Sequence, residues 1–109
     1  MQPGMSANFT RKTRGVSLNE YSEFYSRLAM AVVGQAVKDY REALANYKRA
    51  LNFWNIEARE KLVNEAKGEI RRLEKFFHSG RYSLLTDINP DIVMKKVRQM
   101  EGIDEDEEF

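Results

Sequence analysis

Apolar residues recur at helical spacing through the first half of the chain. Between Leu18 and Leu51 there is no proline, and Ala, Leu, Glu, Lys and Arg, all good helix formers, are frequent. Residues 17–20 have the spacing of a capping box, in which a serine and a glutamate satisfy each other's backbone amides. The pattern predicts a helix that starts at Ser17, is about 50 Å long and ends between residues 52 and 55.

The apolar stripe of this helix changes direction near Gly34. At 100° per residue, the stripe before Gly34 and the stripe after it point about 100° apart. The first stripe contains Tyr21, Tyr25, Leu28 and Val32, and the second contains Val33, Val37, Tyr40, Leu44, Tyr47 and Leu51. Because residues 28–37 are apolar on nearly all sides, we expect them to form the central core, with a kink or a close helix crossing at Gly34.

The second half of the chain predicts one more long helix and one or two short ones. Asn55 is a suitable cap for a helix that ends before Gly80, and Asn89 with Pro90 begins a last helix that runs to about Met100. A further helical turn is predicted at residues 81–85, and no strand pattern occurs. The expected fold is all-α, with two long antiparallel helices. Residues 1–16 are predicted to be a flexible, disordered basic arm, residues 17–101 a single helical domain, and residues 102–109 an acidic tail.

Composition narrows the classes of function. The chain of 109 residues is 42% hydrophobic and 32% charged, which is typical of one helical globular domain. It has no cysteine, which excludes disulfides, thiolate metal sites and thiol nucleophiles. Its longest apolar run is far shorter than the roughly 20 residues needed to cross a bilayer, and its start has no signal pattern. We therefore expect a cytoplasmic protein with no membrane partner.

The net charge of +1 conceals acidic and basic ends. The arm carries Arg11, Lys12 and Arg14, whereas the tail carries Asp104, Glu105, Asp106, Glu107 and Glu108. The tail has three interpretations: a solvated, solubilising segment, an internal cover for basic residues, or a phosphate mimic that binds a basic groove on another protein. The solvated segment is favoured, and the five tail acids are candidate protein-interaction residues.

Basic residues also form stripes on the two long helices. The candidate nucleic-acid-binding residues are Lys38, Arg41, Lys48, Arg49, Lys67, Arg71, Arg72 and Lys75. Such stripes can track the phosphates of DNA or RNA, although glutamates lie among them and mixed charge on a solvated helix face is the commoner explanation.

Catalytic chemistry has little support in the pattern. His78 is the only histidine and is expected near a helix end, where an imidazolium interacts favourably with the helix dipole. Asp87, Asn89 and Asp91 alternate as in a calcium loop, but the glycine and the distal glutamate of that motif are absent, so a turn and a helix cap are favoured. We therefore expect a protein that is not an enzyme and that needs no metal and no cofactor.

Two aromatic residues stand at the predicted junction of the long helices. Phe53 and Trp54 are candidates for an exposed anchor that binds another protein, because tryptophan is enriched in interface hot spots. The alternative, that both rings plug the end of the hairpin, is favoured because large aromatic side chains tend to be buried.

Three segments of the chain carry a resemblance: residues 31–44 (AVVGQAVKDYREAL), 69–77 (EIRRLEKFF) and 83–87 (SLLTD). They resemble small uncharacterised helical proteins of Firmicutes prophages and integrative mobile elements. The resemblance covers about residues 21–98 and carries no catalytic residue. It implies a bacterial host cytoplasm and a non-catalytic accessory protein that binds and modulates a host nucleic-acid-processing protein, in the manner of an anti-CRISPR inhibitor. Two alternatives are a DNA-binding accessory factor that uses the basic stripes, and a dimeric helical adaptor.

Overall fold

The computed structural model of the chain describes residues 18–109. They form four helices and no strand: α1 (Leu18–Leu51), α2 (Ile56–Phe77), α3 (Gly80–Leu85) and α4 (Pro90–Met100). The predicted all-α fold with two long antiparallel helices is confirmed. Ser17 and the predicted arm, with Arg11, Lys12 and Arg14, lie outside the described residues. Within the described part of the chain, no helix is long and apolar enough to cross a membrane.

Helix α1 continues through Gly34 without a break, and the predicted kink stays a prediction. A Cβ atom placed on Gly34 would meet nothing within 4 Å, so no other described segment crosses closely there. Relative to alanine, one glycine lowers the stability of a helix by about 1 kcal/mol. This loss is small compared with the free energy that tertiary packing contributes to a helix of 34 residues.

The core begins later along α1 than the sequence predicts. Helix α2 has 22 residues against the 34 of α1, and at 1.5 Å per residue it is about 18 Å shorter. It therefore covers α1 only from about Val33 onwards. Leu28 and Val32, which were expected in the core, are exposed.

The two long helices bury most of the second predicted stripe of α1 against the apolar face of α2, but Leu51, the last residue of that stripe, is exposed. Helices α3 and α4 close this core on one side of the hairpin with Tyr82, Met94 and Val97. Ile92 and Met100 are exposed, because the buried face of α4 follows the spacing of Met94, Val97 and Arg98. The largest buried side chains are Tyr40, Tyr82, Phe77, Leu44 and Ile70.

Polar caps delimit the three later helices. The side-chain oxygen of Asn55 accepts from the amide of Ala58 at 3.0 Å and starts α2. Ser79 starts α3, and Asn89, followed by Pro90, starts α4. The predicted caps at Asn55 and Asn89 are confirmed, and each satisfies a backbone amide that the first turn of a helix leaves unpaired.

The acidic tail packs on the helices. Gly102 turns the chain with φ of 70°, and Ile103 is only 8% exposed. The ring of Phe109 lies edge-on to the ring of Tyr47, with 5.0 Å between their centroids. The favoured interpretation of a solvated tail is therefore wrong, because Ile103 at the start of the acidic run is buried and Phe109 at its end is partly buried against the core.

Candidate functional site

A buried polar network lies beneath the tail. Arg98 is 7% exposed. Its guanidinium donates to the hydroxyl of Tyr40 at 2.9 Å and to the carboxylate of Glu74 at 2.6 Å. The Tyr40 hydroxyl in turn donates to Glu74 at 2.7 Å. Burial, aided by the negative charge of Glu74, raises the pKa of Tyr40 to about 12, so its hydroxyl keeps its proton. The positive charge of Arg98 is thus neutralised inside the molecule.

The same guanidinium organises the backbone of the tail. One of its terminal nitrogens donates to three carbonyl oxygens at 3.0, 3.1 and 2.7 Å, those of Asp104, Glu105 and Glu107. The ring of Phe109 lies 5.0 Å from the central carbon of the guanidinium, a distance at which a cation and an aromatic face attract. The tail therefore curls around one buried cation, and the side chains of Asp104, Glu105, Asp106 and Glu108 remain exposed.

The tail region also contacts three of the predicted nucleic-acid-binding residues. Arg41 pairs with the Glu101 carboxylate at 2.6 Å, and Lys48 donates to the Glu101 carbonyl at 2.5 Å. Arg71 donates to the backbone carbonyl of Phe109. Nearby, the hydroxyl of Tyr47 donates to Glu107 at 3.0 Å, and burial together with that carboxylate raises the Tyr47 pKa. The contact of Arg71 matches the interpretation of the tail as an internal cover for basic residues, whereas Arg41 and Lys48 bind the residue before the tail.

The other predicted cations lie elsewhere. Arg72 pairs with Glu69, and Arg49 donates to the side chain of Asn46. Arg49 and Arg72 border the open side of the α1–α2 pair, away from the residues that bind the tail. Lys38 and Lys75 are exposed and Lys67 is half-buried. The eight residues therefore do not form one continuous basic surface.

Helices α1 and α2 leave a groove between them on the side that α4 and the tail do not cover. Its widest part is a cavity of about 420 Å³ whose floor includes Ala43, Ala50 and Ala66. Shallower depressions extend it past Glu69 to Phe76. This α1/α2 groove has a floor of small apolar side chains, and its rim carries Asp39, Glu42, Glu65, Glu69, Arg49 and Arg72.

The junction of the long helices presents an exposed tryptophan. Trp54 is 80% exposed and its ring stacks on that of Phe53 at 6.1 Å. Phe53 is half-buried and lines the groove, and its carbonyl accepts from Arg59 at 2.8 Å. The favoured interpretation that both rings plug the hairpin is wrong for Trp54. Leu51, which the sequence placed in the second apolar stripe, and Ile56, which it did not single out, are exposed on either side of it.

The first half of α1 carries further exposed apolar side chains. Phe24 is 63% exposed and Leu28 51% exposed, and Met30 and Val32 are also exposed. Sequence reasoning assigned Leu28 and Val32 to the core and selected none of the four as interaction residues. The signal that could have indicated this exposure was the unequal predicted lengths of the two long helices, since the shorter helix cannot cover the whole of the longer one.

His78 lies at the end of α2, as predicted. Its ring nitrogen is 2.9 Å from the carboxylate of Asp91, and both side chains are exposed. Asn89 accepts from the amide of Asp91, so the turn-and-cap interpretation of this segment is confirmed. Among residues 18–109, no group of histidine and acidic side chains is arranged to hold a metal ion.

Three surfaces thus stand out in the described chain. They are the exposed acids over the Arg98 network, the tip formed by Leu51, Trp54 and Ile56, and the exposed first half of α1 beside the groove. Comparison of the chain with protein-family models, curated proteins and solved structures gave no significant match.

Proposed function

We propose that this protein works by binding another protein and that Trp54 is the anchor of that contact. The observation that carries the proposal is the exposure of Trp54, 80%, on a short, well-ordered junction. Large aromatic side chains bury 150–250 Å² in contacts, and tryptophan is the residue most enriched among binding hot spots. Leu51 and Ile56 extend the apolar patch on either side of it.

Hydrogen bonds fix the backbone of the junction that carries the indole. The amides of Asn52 and Phe53 bond to carbonyls of the last turn of α1, at 3.2 and 3.1 Å. Arg59 ties the Phe53 carbonyl to the start of α2, and the Phe53 ring supports the indole. Because the anchor is ordered in the free protein, less conformational entropy is lost on binding.

The acids of the tail favour a partner with a basic surface. Four carboxylates of the tail are exposed, and the backbone that carries them is held by Arg98. Glu105 and Asp106 line a depression with Glu74, which is about 27 Å along α2 from the tip that carries Trp54, so the acidic surface and the tip are separate contact surfaces. Proteins that process nucleic acids have such basic surfaces. This supports the role of a non-catalytic modulator of a host nucleic-acid-processing protein, in the phage or mobile-element setting that the resemblance implies.

Direct binding of nucleic acid is the less favoured alternative. Arg71 already donates to the tail, and Arg41 and Lys48 bind Glu101, the last residue before it. A nucleic acid bound at these cations would be repelled by the exposed acids of the tail.

The test compares capture of host proteins by three immobilised chains after nuclease treatment. These are the wild type, Trp54→Ser, and the control Leu84→Ser, which changes an equally exposed side chain in α3. We expect one host protein to bind the wild type and the control, and its affinity for the purified Trp54→Ser variant to fall at least tenfold. Equal affinity for all three chains would overturn the assignment of Trp54 as the anchor. Capture that disappears when the nucleic acid is digested would favour the DNA or RNA alternative.

A further inference from the structure

Both walls of the α1/α2 groove carry residues at the spacing of a coiled coil. The α1 wall includes Ala36, Asp39, Ala43, Asn46, Ala50 and Phe53. The α2 wall includes Leu62, Ala66, Glu69, Leu73 and Phe76. Along each wall the steps alternate between three and four positions, and at 100° per residue each set lies within an arc of about 100°. Helices in coiled coils present such faces to a neighbouring helix, so both walls match the contact pattern of a third helix.

The floor of the groove lets another helix come close. Ala36, Ala43 and Ala50 recur every seven residues on α1, and Ala66 of α2 lines the same cavity as the last two. Side chains this small allow helix axes to approach to about 8 Å. From Ala36 to Phe53 the groove is about 26 Å long, which is the length of a helix of about 18 residues. The groove therefore has room for one helix of about five turns.

The two ends of the groove are lined by large apolar side chains. Phe53 and Leu62 line one end, and Leu73 and Phe76 line the other. Leu62 and Phe76 are 14 residues, or about 21 Å, apart along α2. A helix in the groove needs large apolar side chains near both of its ends to cover these residues and the small alanines between them.

The middle of the groove is acidic. It is lined by three acids, Asp39, Glu42 and Glu69. One cation, Arg72, pairs with Glu69 and lines the neighbouring depression together with Asp39, so three negative charges and one positive charge leave a net charge of −2. At the wide end, Glu65 and Arg49 offset each other. Charge complementarity therefore favours cations in the middle of a helix that occupies the groove.

We propose that the α1/α2 groove binds one amphipathic helix of a partner protein. The bound face of this helix has large apolar side chains near both ends and arginine or lysine between them, close to Glu42 and Glu69. The inference rests on the proposed function, because it names the part of the partner that is bound. It does not rest on Trp54, which does not line the groove.

Helix α4 of a second copy has a similar order of side chains but is too short for the groove. Its exposed residues Ile92, Lys96 and Met100 lie on one face, with the cation in the middle. Ile92 and Met100 are 8 residues, or about 12 Å, apart, whereas the two apolar ends of the groove are about 21 Å apart. A longer helix of another protein fits this distance.

The first test measures binding of the full chain to a synthetic peptide of about 18 residues. One helical face of the peptide has two leucines near each end and two arginines in the middle, and the other positions are alanine and glutamine. Fluorescence anisotropy of the labelled peptide measures affinity, and circular dichroism measures the helix that it gains. A scrambled peptide with leucines on all sides should bind at least tenfold more weakly. Equal binding of both peptides, or no binding by about 100 μM protein, would overturn the proposal.

Charge reversal tests whether the peptide lies in the groove. Glu69→Arg changes an exposed side chain and should weaken binding of the arginine peptide at least tenfold. The control Glu60→Arg, on the opposite face of α2, changes the net charge equally and should alter affinity less than about twofold. A peptide with glutamates in place of the arginines should bind Glu69→Arg at least tenfold more tightly than the wild type. Equal effects of the two reversals would show only long-range attraction and would contradict binding in the groove.

Two further measurements separate the alternatives. Trp54→Ser should bind the peptide within about twofold of the wild type, so failure of the Trp54 anchor and failure of the groove are distinguishable. Light scattering should show one peptide bound to each chain of 12.8 kDa, with no change in the number of chains. A mass that falls from two chains to one when the peptide is added would assign the groove to a second copy and overturn the proposal.

Discussion

Arg98 and Tyr40, 58 residues apart in the sequence, share a buried hydrogen bond of 2.9 Å. The bond joins α4 to the middle of α1, and through Glu74 it includes α2. The guanidinium also holds the tail by three carbonyls. One side chain therefore connects the three main helices with the last residues of the chain.

Replacing Arg98 with alanine should lower the free energy of unfolding by about 3 kcal/mol. The change leaves the Glu74 carboxylate without its cation and the tail carbonyls without their donor, and removing one partner of a buried ion pair is costly. Urea denaturation followed by circular dichroism measures the loss. Arg81→Ala, at an exposed position in α3, is the control and should change stability by less than about 0.5 kcal/mol. A similar small effect for Arg98→Ala would contradict the role assigned to the network.

Ile103→Ala should destabilise the protein by about 2 kcal/mol, which a solvated tail would not predict. The side chain is buried against the core, and truncating a buried isoleucine removes apolar contact area. The matched control is Glu108→Ala, an exposed residue in the same segment. Equal urea midpoints for Ile103→Ala and the wild type would show that the tail is not packed in solution.

Stability should fall between about pH 10 and pH 12 because of Tyr40. Its pKa in the folded protein is raised to about 12, chiefly by burial, whereas the unfolded value is about 10. A raised pKa means that the neutral hydroxyl is favoured by folding. Its contribution is complete below pH 10, and it is lost as the pH rises towards 12, when the unfolded chain releases this proton first. The expected loss from this group is about 2 to 3 kcal/mol.

The measurement compares urea midpoints of the wild type and Tyr40→Phe at pH 9 and pH 11.5. The variant lacks the hydroxyl, so it should lose less stability than the wild type over this interval. All other side chains are the same in the two proteins, so their contributions cancel in the comparison. Identical pH dependence of the two proteins would be incompatible with a buried, protonated Tyr40.

Trp54 should report its exposure by fluorescence, because it is the only tryptophan. An 80% exposed indole should emit at the long wavelength of a solvated ring and be quenched readily by acrylamide. Binding of a partner at the tip should shift the emission to shorter wavelength and protect it from quenching. A blue-shifted, protected tryptophan in the free protein would contradict the exposed anchor.

Local features of the sequence were sufficient for the four helices and for two of their caps. The capping preferences of Asn55 and Asn89 act over three or four residues. The apolar period of α1 and that of α2 can each be recognised from the sequence of that helix alone. The all-α fold with two long helices follows from such local information. The phase change near Gly34 was also a real feature of the pattern, and α1 continues through it as one helix.

The tertiary structure decided which apolar stripe of α1 is buried and what the tail does. Both stripes are apolar enough for a core, and only the length of α2 selects the later one and leaves Leu28 exposed. The sequence predicted a solvated tail because charged residues dominate its composition. In the structure, the position of the tail depends on contacts with Arg98 and Tyr47 and on the burial of Ile103. Contacts between residues so far apart in the sequence depend on how helices pack together, and no local periodicity encodes them.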